Sequence, residues 1–247
     1  MSTSFQREQL VEKLKTALNS LAEADAAWLG GSRATGSEDV YSDTDMVVVS
    51  LHPERIFQAV EDTLQSHYGL ERIWPVTGPA MWKGFVQKFY ILSGTPDFYY
   101  VDFGIFVTDQ AQDLAEFFNQ DRHGKADILW DKSGILQRAS ALTTLEKATP
   151  LGPLQQAHFE VLYRTFLKES LRGKYIDTYL FYQRLVGMFV QSLRLRHSPQ
   201  KHDFGLRYLY KDLPFSDSQR IEAILKASAD ISSMQKCAAE MRKEYLR

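Results

Sequence analysis

The stretch from Ala26 to Val49 constrains the chain more than any other. Four apolar residues, Ala26-Ala27-Trp28-Leu29, run straight into Gly30-Gly31. A glycine pair lets the backbone turn sharply and brings its N–H groups close to an anion. Ser32 adds a hydroxyl donor and Arg33 a forked cation, so backbone, hydroxyl and guanidinium can converge on the oxygens of a phosphate. Ser42-Asp43-Thr44-Asp45 then leads into Met46-Val47-Val48-Val49, whose β-branched residues predict a buried strand. Side chains alternate along a strand, so Asp43 and Asp45 point one way and Thr44 the other. Two carboxylates side by side repel unless a cation lies between them. Hard oxygen ligands select Mg²⁺ or Mn²⁺ over Zn²⁺, and a magnesium site usually consists of one or two carboxylates, water and the substrate's phosphates.

A third carboxylate is expected from a neighbouring strand. The run Asp97-Phe98-Tyr99-Tyr100-Val101-Asp102-Phe103-Gly104-Ile105-Phe106-Val107 is rich in aromatic and β-branched residues, with Asp102 in its middle. A charged group is out of place in a simple core strand. It becomes reasonable if Asp102 faces the same metal as Asp43 and Asp45, or takes a proton from an attacking hydroxyl.

Gly31-Ser32, ten intervening residues, Asp43-x-Asp45 and a later strand carrying Asp102 together resemble the signature of the polymerase-beta-like nucleotidyltransferase superfamily. Within it the chain is similar to the aminoglycoside and lincosamide nucleotidyltransferases, which join a catalytic domain of this size to a helical domain. Motifs carry the resemblance over residues 20–135, and beyond them it rests on architecture. It implies an α+β fold, a nucleotidyltransferase-type mixed β-sheet with flanking helices followed by an all-α domain. It also implies that Gly30, Gly31, Ser32 and Arg33 bind the nucleotide, with Gly31 and Ser32 at the β- and γ-phosphates. Asp43 and Asp45 would hold metal, and Asp102 would be a metal ligand, a base, or both. The implied cofactor is Mg²⁺ or Mn²⁺, and the implied donor is a nucleoside triphosphate, ATP by resemblance. One ion would bridge the phosphates as pyrophosphate leaves while a second lowers the pKa of the acceptor hydroxyl. The segment Ile128-Leu129-Trp130-Asp131-Lys132-Ser133-Gly134 resembles the late strand and acidic turn of the antibiotic-modifying members.

Each element has a plainer reading. A Gly-Gly-Ser at a strand end is often only a turn, and an Asp-x-Asp is as often a solvated strand end as a metal site. Their joint occurrence at this spacing, with Asp102 following, is what favours the catalytic reading. Arg33 suits the surface as well as a phosphate, and Asp131 sits in a sequence that reads as a loop on its own account.

Thr149-Pro150-Leu151-Gly152-Pro153 breaks both helix and strand and marks the boundary between a catalytic domain over 1–149 and a helical, substrate-binding domain over 150–247. In the first, helices are expected over 5–24 and from Pro53, where a missing N–H costs nothing, and strands over 71–76, 85–92 and 98–107. In the second, helical periodicity covers 158–171, 175–195, 206–210 and 218–245, with Ser216-Asp217-Ser218 as the cap of the last. Lys174, at a helix start, and the segment Lys201-His202-Asp203-Phe204-Gly205-Leu206-Arg207-Tyr208 are candidates for contacts to substrate from this half. Aromatic residues such as Tyr163, Phe166, Tyr182 and Phe189 read mainly as core.

Charge divides along the same boundary. Residues 1–150 hold 13 Lys+Arg and 21 Asp+Glu, a net of −8, and residues 151–247 hold 16 and 10, a net of +6. An acidic half suits metal binding, and a basic half facing it would attract an anionic substrate. A strongly cationic aminoglycoside prefers acidic walls, which the second half does not supply. The single Cys237 excludes an intrachain disulfide and a multi-cysteine zinc site, and the six histidines show no metal-ligand spacing. No run of 18 apolar residues and no basic-then-apolar start occurs, so a cytoplasmic protein without membrane contact is expected. The leading expectation is an enzyme that nucleotidylates a hydroxyl of a small molecule, an antibiotic among the candidates. The alternatives are a protein or RNA acceptor, disfavoured for RNA by the lack of an interleaved basic-aromatic motif, and a non-catalytic nucleotide-binding module. Oligomeric state is not legible in the sequence.

Overall fold

The computed structural model describes residues 6–77, 82–142 and 150–246. Ala26–Leu29 (β1) and Thr44–Val49 (β2) pair antiparallel with Trp28 opposite Val47. Every residue of both strands is buried except Asp45. Strands made almost wholly of Ala, Trp, Leu, Met and Val must be covered on both faces. Val101–Phe106 (β5) lies on the other side of β2 and shows the same pattern, buried throughout except at Asp102. With Leu70–Pro75 (β3), Phe85–Leu92 (β4) and Asp127–Asp131 (β6), these strands form a six-stranded mixed sheet in the order β3-β4-β5-β2-β1-β6. Among the described residues only β2 and β5 pair in parallel. A parallel pair needs a crossover connection. The helix Pro53–His67 and the β3–β4 hairpin lie in that connection.

Alternation along the strands builds two cores. On one face Ala27, Met46, Val48, Phe103 and Ile105 pack with Leu10, Leu14 and Leu18 of Arg7–Asn19 (α1) and with Ile56, Val60 and Leu64 of Pro53–His67. On the other, Ala26, Trp28, Val47, Val49 and Phe106 pack with Leu114, Phe118 and with Ile135, Leu136 and Ala139 of the helix Ile135–Leu142. This second face has a notch at Gly104, filled by the Phe85 ring. A Cβ at 104 would stand 2.3 Å from Phe85 Cζ, and the ring is itself held by Phe106 at 4.8 Å and Trp82 at 5.3 Å.

Element bounds follow local hydrogen bonding. The strand expected over 98–107 begins only at Val101, because Tyr99 N–H donates to the Pro96 carbonyl at 2.8 Å and closes a turn. Phe5, at the expected start of the first helix, lies outside the described residues, as does Thr149 at the expected boundary. The chain divides into two compact units, residues 1–145 and 146–247.

The second unit contains five α-helices among its described residues, and no strand. Pro153–Leu171, Tyr175–His197, Phe215–Lys226 and Ile231–Tyr245 surround a core that includes Phe159, Phe166, Tyr182, Phe189, Met234 and Met241. Two expectations are corrected. The single helix over 218–245 is broken at Asp230, whose carboxylate accepts from Ser233 N–H at 2.8 Å and caps a new helix. Its start is also earlier, at Phe215 after Pro214, with Ser218 bonding back to the Phe215 carbonyl instead of capping. The helix over 206–210 is replaced by the short Leu209–Asp212. The carbonyls of Gly205 and Arg207 accept from the buried Arg194 guanidinium instead, and Tyr208 takes a left-handed φ of 56°. No described helix is long and apolar enough to cross a membrane.

Trp28, Trp74, Trp82 and Trp130 all belong to the first unit, so tryptophan fluorescence reports on it alone. Gly104→Ala is expected to force the trapped Phe85 ring aside and to destabilise this unit by about 1–3 kcal/mol, seen as a lower urea midpoint of the fluorescence transition.

Candidate active site around the paired aspartates

Asp45 and Asp102 occupy directly opposed positions of the parallel β2–β5 register. The alternation that buries Met46 and Phe103 on one face puts both carboxylates on the other, the face that carries Trp28 and Phe106. Their carboxyl groups meet across the strand pair. Burial pushes Asp102 up from 3.8 to about 6. The Gln87 amide, whose Nε2 donates to Asp102 Oδ1, pulls it down; the charge of Asp43 raises it, and the bond to Asp45 lowers it. Asp43, two residues before Asp45, accepts the Tyr100 hydroxyl. Burial, that bond and the charges of Asp43, Asp45 and Asp102 all raise the Tyr100 pKa. Thr44 points the other way, its hydroxyl 2.7 Å from the Tyr99 hydroxyl in a buried contact.

The glycine turn is pressed onto this acid pair. Gly30 N–H donates to the Asp45 carbonyl at 3.0 Å. Gly31 has a φ of +52°, and a Cβ there would fall 1.7 Å from Asp45 Oδ2 and 2.6 Å from Cγ. No other residue type fits where the carboxylate lies against the backbone. Ser32 follows in the single helical turn Gly31–Ala34. A shallow cleft open to solvent lies here, and its lining includes Gly30, Ser32, Arg33, Asp43, Asp45 and Arg7. Asp102 does not line it and is joined to it through Asp45.

Other expected residues have partners of their own. Arg33 Nε donates to Asp127 at 2.8 Å, and its guanidinium lies 3.8 Å from Glu38. Lys174 belongs to the second unit, where its ammonium is 3.9 Å from Glu169. Lys201 donates to Asp212 at 2.7 Å, and Arg207 to the Tyr208 hydroxyl at 2.7 Å. Asp131 accepts from Leu136 and Gln137 N–H at 3.1 and 3.2 Å, anchoring the helix after it. Sequence reasoning missed Arg7. Its Nη1 donates to the carbonyls of Asp39 and Ser42 at 3.0 and 2.9 Å, and Nη2 lies 3.0 Å from Glu38, so it holds the loop that delivers Asp43. Nothing near Arg7 in the sequence marks this role.

Among the described residues no group of three His, Cys, Asp or Glu side chains stands placed to hold a metal ion. Asp45 and Asp102 form a pair across the strands, with Asp43 two residues before Asp45. This donor set fits Mg²⁺ or Mn²⁺ by its chemistry: all its donors are hard oxygens, and a cation would relieve the repulsion between adjacent carboxylates.

Gly31→Ala is expected to displace the Asp45 carboxylate and, because residue 31 must hold a φ of +52°, to destabilise the first unit by about 1 kcal/mol or more, seen as a rearranged cleft in a crystal structure and a lower Tm. The raised Asp102 pKa also has a sign. The folded state holds the proton between pH 3.8 and about 6 while the unfolded chain releases it, so stability present below that window is lost as pH rises through it. Asp102→Asn is expected to flatten this loss. In metal-free buffer its Tm should exceed that of the wild type above pH 6 and converge with it toward pH 4.

A scan against protein-family models finds none that matches the chain, and a search of curated proteins finds no relative, so the residues themselves carry the functional reading.

Proposed function

We propose that the chain is a metal-dependent nucleotidyltransferase of the polymerase-beta-like kind. It would move a nucleoside monophosphate, AMP from ATP by resemblance, onto a hydroxyl of a small molecule and release pyrophosphate, with an aminoglycoside-like antibiotic among the candidate acceptors. One observation carries the reading: two carboxylates opposed on parallel strands, a third beside them, and a glycine turn flattened against one of the pair.

Asp43, Asp45 and Asp102 would hold the Mg²⁺ or Mn²⁺. Bound there, the metal would neutralise the triphosphate and acidify the acceptor hydroxyl. The rest falls to the chain. Gly30 and Ser32 line the cleft, and the Gly31 and Ser32 N–H groups with the Ser32 hydroxyl would align a triphosphate there for attack, Gly30 forming the turn. Arg33 would exchange Asp127 and Glu38 for phosphate oxygens. The acceptor oxygen forms a bond to the α-phosphorus as the bond to the bridging oxygen breaks. The hydroxyl proton would pass to Asp102, which the β2–β5 register sets beside Asp45.

The test is incubation with Mg²⁺, each labelled nucleoside triphosphate in turn, and panels of hydroxylated antibiotics, proteins and RNA. Pyrophosphate release with a mass gain of one nucleotide on a small acceptor is expected. Label on protein or RNA would move the acceptor class, and no transfer with any of them would refute the activity. Asp43→Asn and Asp45→Asn are each expected to lower kcat by more than about 10³-fold with the fold retained, whereas Asp102→Asn should reduce kcat far more than nucleotide affinity.

A further inference from the structure

The three acids do not orient themselves, and the strand that orients them contributes no acid. β4 lies antiparallel to β5, with Gln87 opposite Gly104 and Phe89 opposite Asp102. Phe85, Gln87 and Phe89 alternate onto one face of β4, the face on which Phe85 fills the Gly104 notch. From that face Gln87 Nε2 donates to Asp102 Oδ1. The Phe89 ring meets Tyr100 edge-on at 5.7 Å, and the Tyr100 hydroxyl donates to Asp43. One hydrogen-bond donor therefore reaches each outer member of the acidic group, and the middle member, Asp45, is fixed from the opposite side by Gly31.

We infer that Gln87 and Tyr100 are positioning residues that set the rotation of the Asp102 and Asp43 carboxylates for divalent-cation binding, with β4 as their common support. The inference rests on the nucleotidyltransferase reading and deepens it.

A carboxylate in water turns freely about its last bond. A fixed donor on one oxygen removes that freedom, so the ligand is already aimed when the cation arrives. Both donors are neutral, which matters here. A Lys or Arg in the place of Gln87 would fix Asp102 equally well but would neutralise it and compete with the metal. An amide and a phenol orient the acids and leave their charge for the ion. The sheet explains why these residues reach. Asp102 faces Phe89 directly, and Gln87 is its diagonal neighbour on the same face, a separation that a long side chain spans.

The experiment uses the full chain without nucleotide. Mn²⁺ affinity is measured by counting free ion in electron paramagnetic resonance titrations, with Tm measured in parallel. Gln87→Met keeps length and volume and loses the donor. Tyr100→Phe loses only the hydroxyl. Each is expected to weaken Mn²⁺ binding by about 10-fold or more with Tm nearly unchanged, and to lower kcat at saturating metal with little change in the KM for nucleotide. Phe85→Leu supplies the contrast, since it loosens packing on the same face of β4 and should lower Tm without altering Mn²⁺ affinity. Wild-type affinity in both Gln87→Met and Tyr100→Phe would overturn the positioning role alone. Weakened binding that tracks Tm across all three variants would also overturn it, by making β4 a packing strand only. Failure of the wild-type chain to bind Mn²⁺ would overturn the nucleotidyltransferase reading, and this inference with it.

Discussion

Everything at the site depends on the register of one pair of parallel strands. β2 and β5 place Thr44 beside Val101, Asp45 beside Asp102 and Met46 beside Phe103. A slip of β2 by one residue would turn Asp45 into the core that Met46, Val48, Phe103 and Ile105 occupy and part it from Asp102. The acids therefore hold their place through the burial of their neighbours, since two carboxylates in contact repel. The same burial raises the Asp102 pKa to about 6. Stability and reactivity are thus set by a single alignment: the valines and aromatics that make the sheet fold also make the acid pair uncomfortable without a cation or a proton.

Much of this was legible in the sequence because it is local. The glycine pair, the Asp-x-Asp alternation and the valine run each follow from neighbours a few residues apart, and the structure has Gly31 in the left-handed region and Thr44 pointing away from the acids. The joining of Asp45 to Asp102 was within reach because a carboxylate in an aromatic strand run needs a reason. Arg7, Gln87 and Tyr100 were not within reach. Their roles come from contacts over 32 or 35 residues for Arg7, 15 for Gln87 and 57 for Tyr100, and no spacing rule carries across such distances.

The helical unit shows the same limit in another form. Periodicity placed its long helices but passed over the break at Asp230 and the loss of helix at 206–208. The second has a long-range cause. Arg194, fully buried in Tyr175–His197, donates to the carbonyls of Gly205 and Arg207 and to Asp212 at 2.8 Å. A buried guanidinium must have every donor met, and the backbone of 205–207 serves it in preference to making its own helix. Lys201 also bonds Asp212 at 2.7 Å, so part of the 201–208 segment lines a buried cation. Asp212 feels burial first, which alone would raise its pKa, but the Arg194 and Lys201 bonds outweigh it and hold the carboxyl below its ordinary value.

The contact between Gly31 and Asp45 has no slack: no β-carbon fits between the turn and the carboxylate. A turn that closes on an anion and a carboxylate that closes on a cation would then share one mechanical joint. On the proposed function, a phosphate at one end and a divalent ion at the other would be coupled through this contact, each changing its companion's affinity by the same factor regardless of which arrives first.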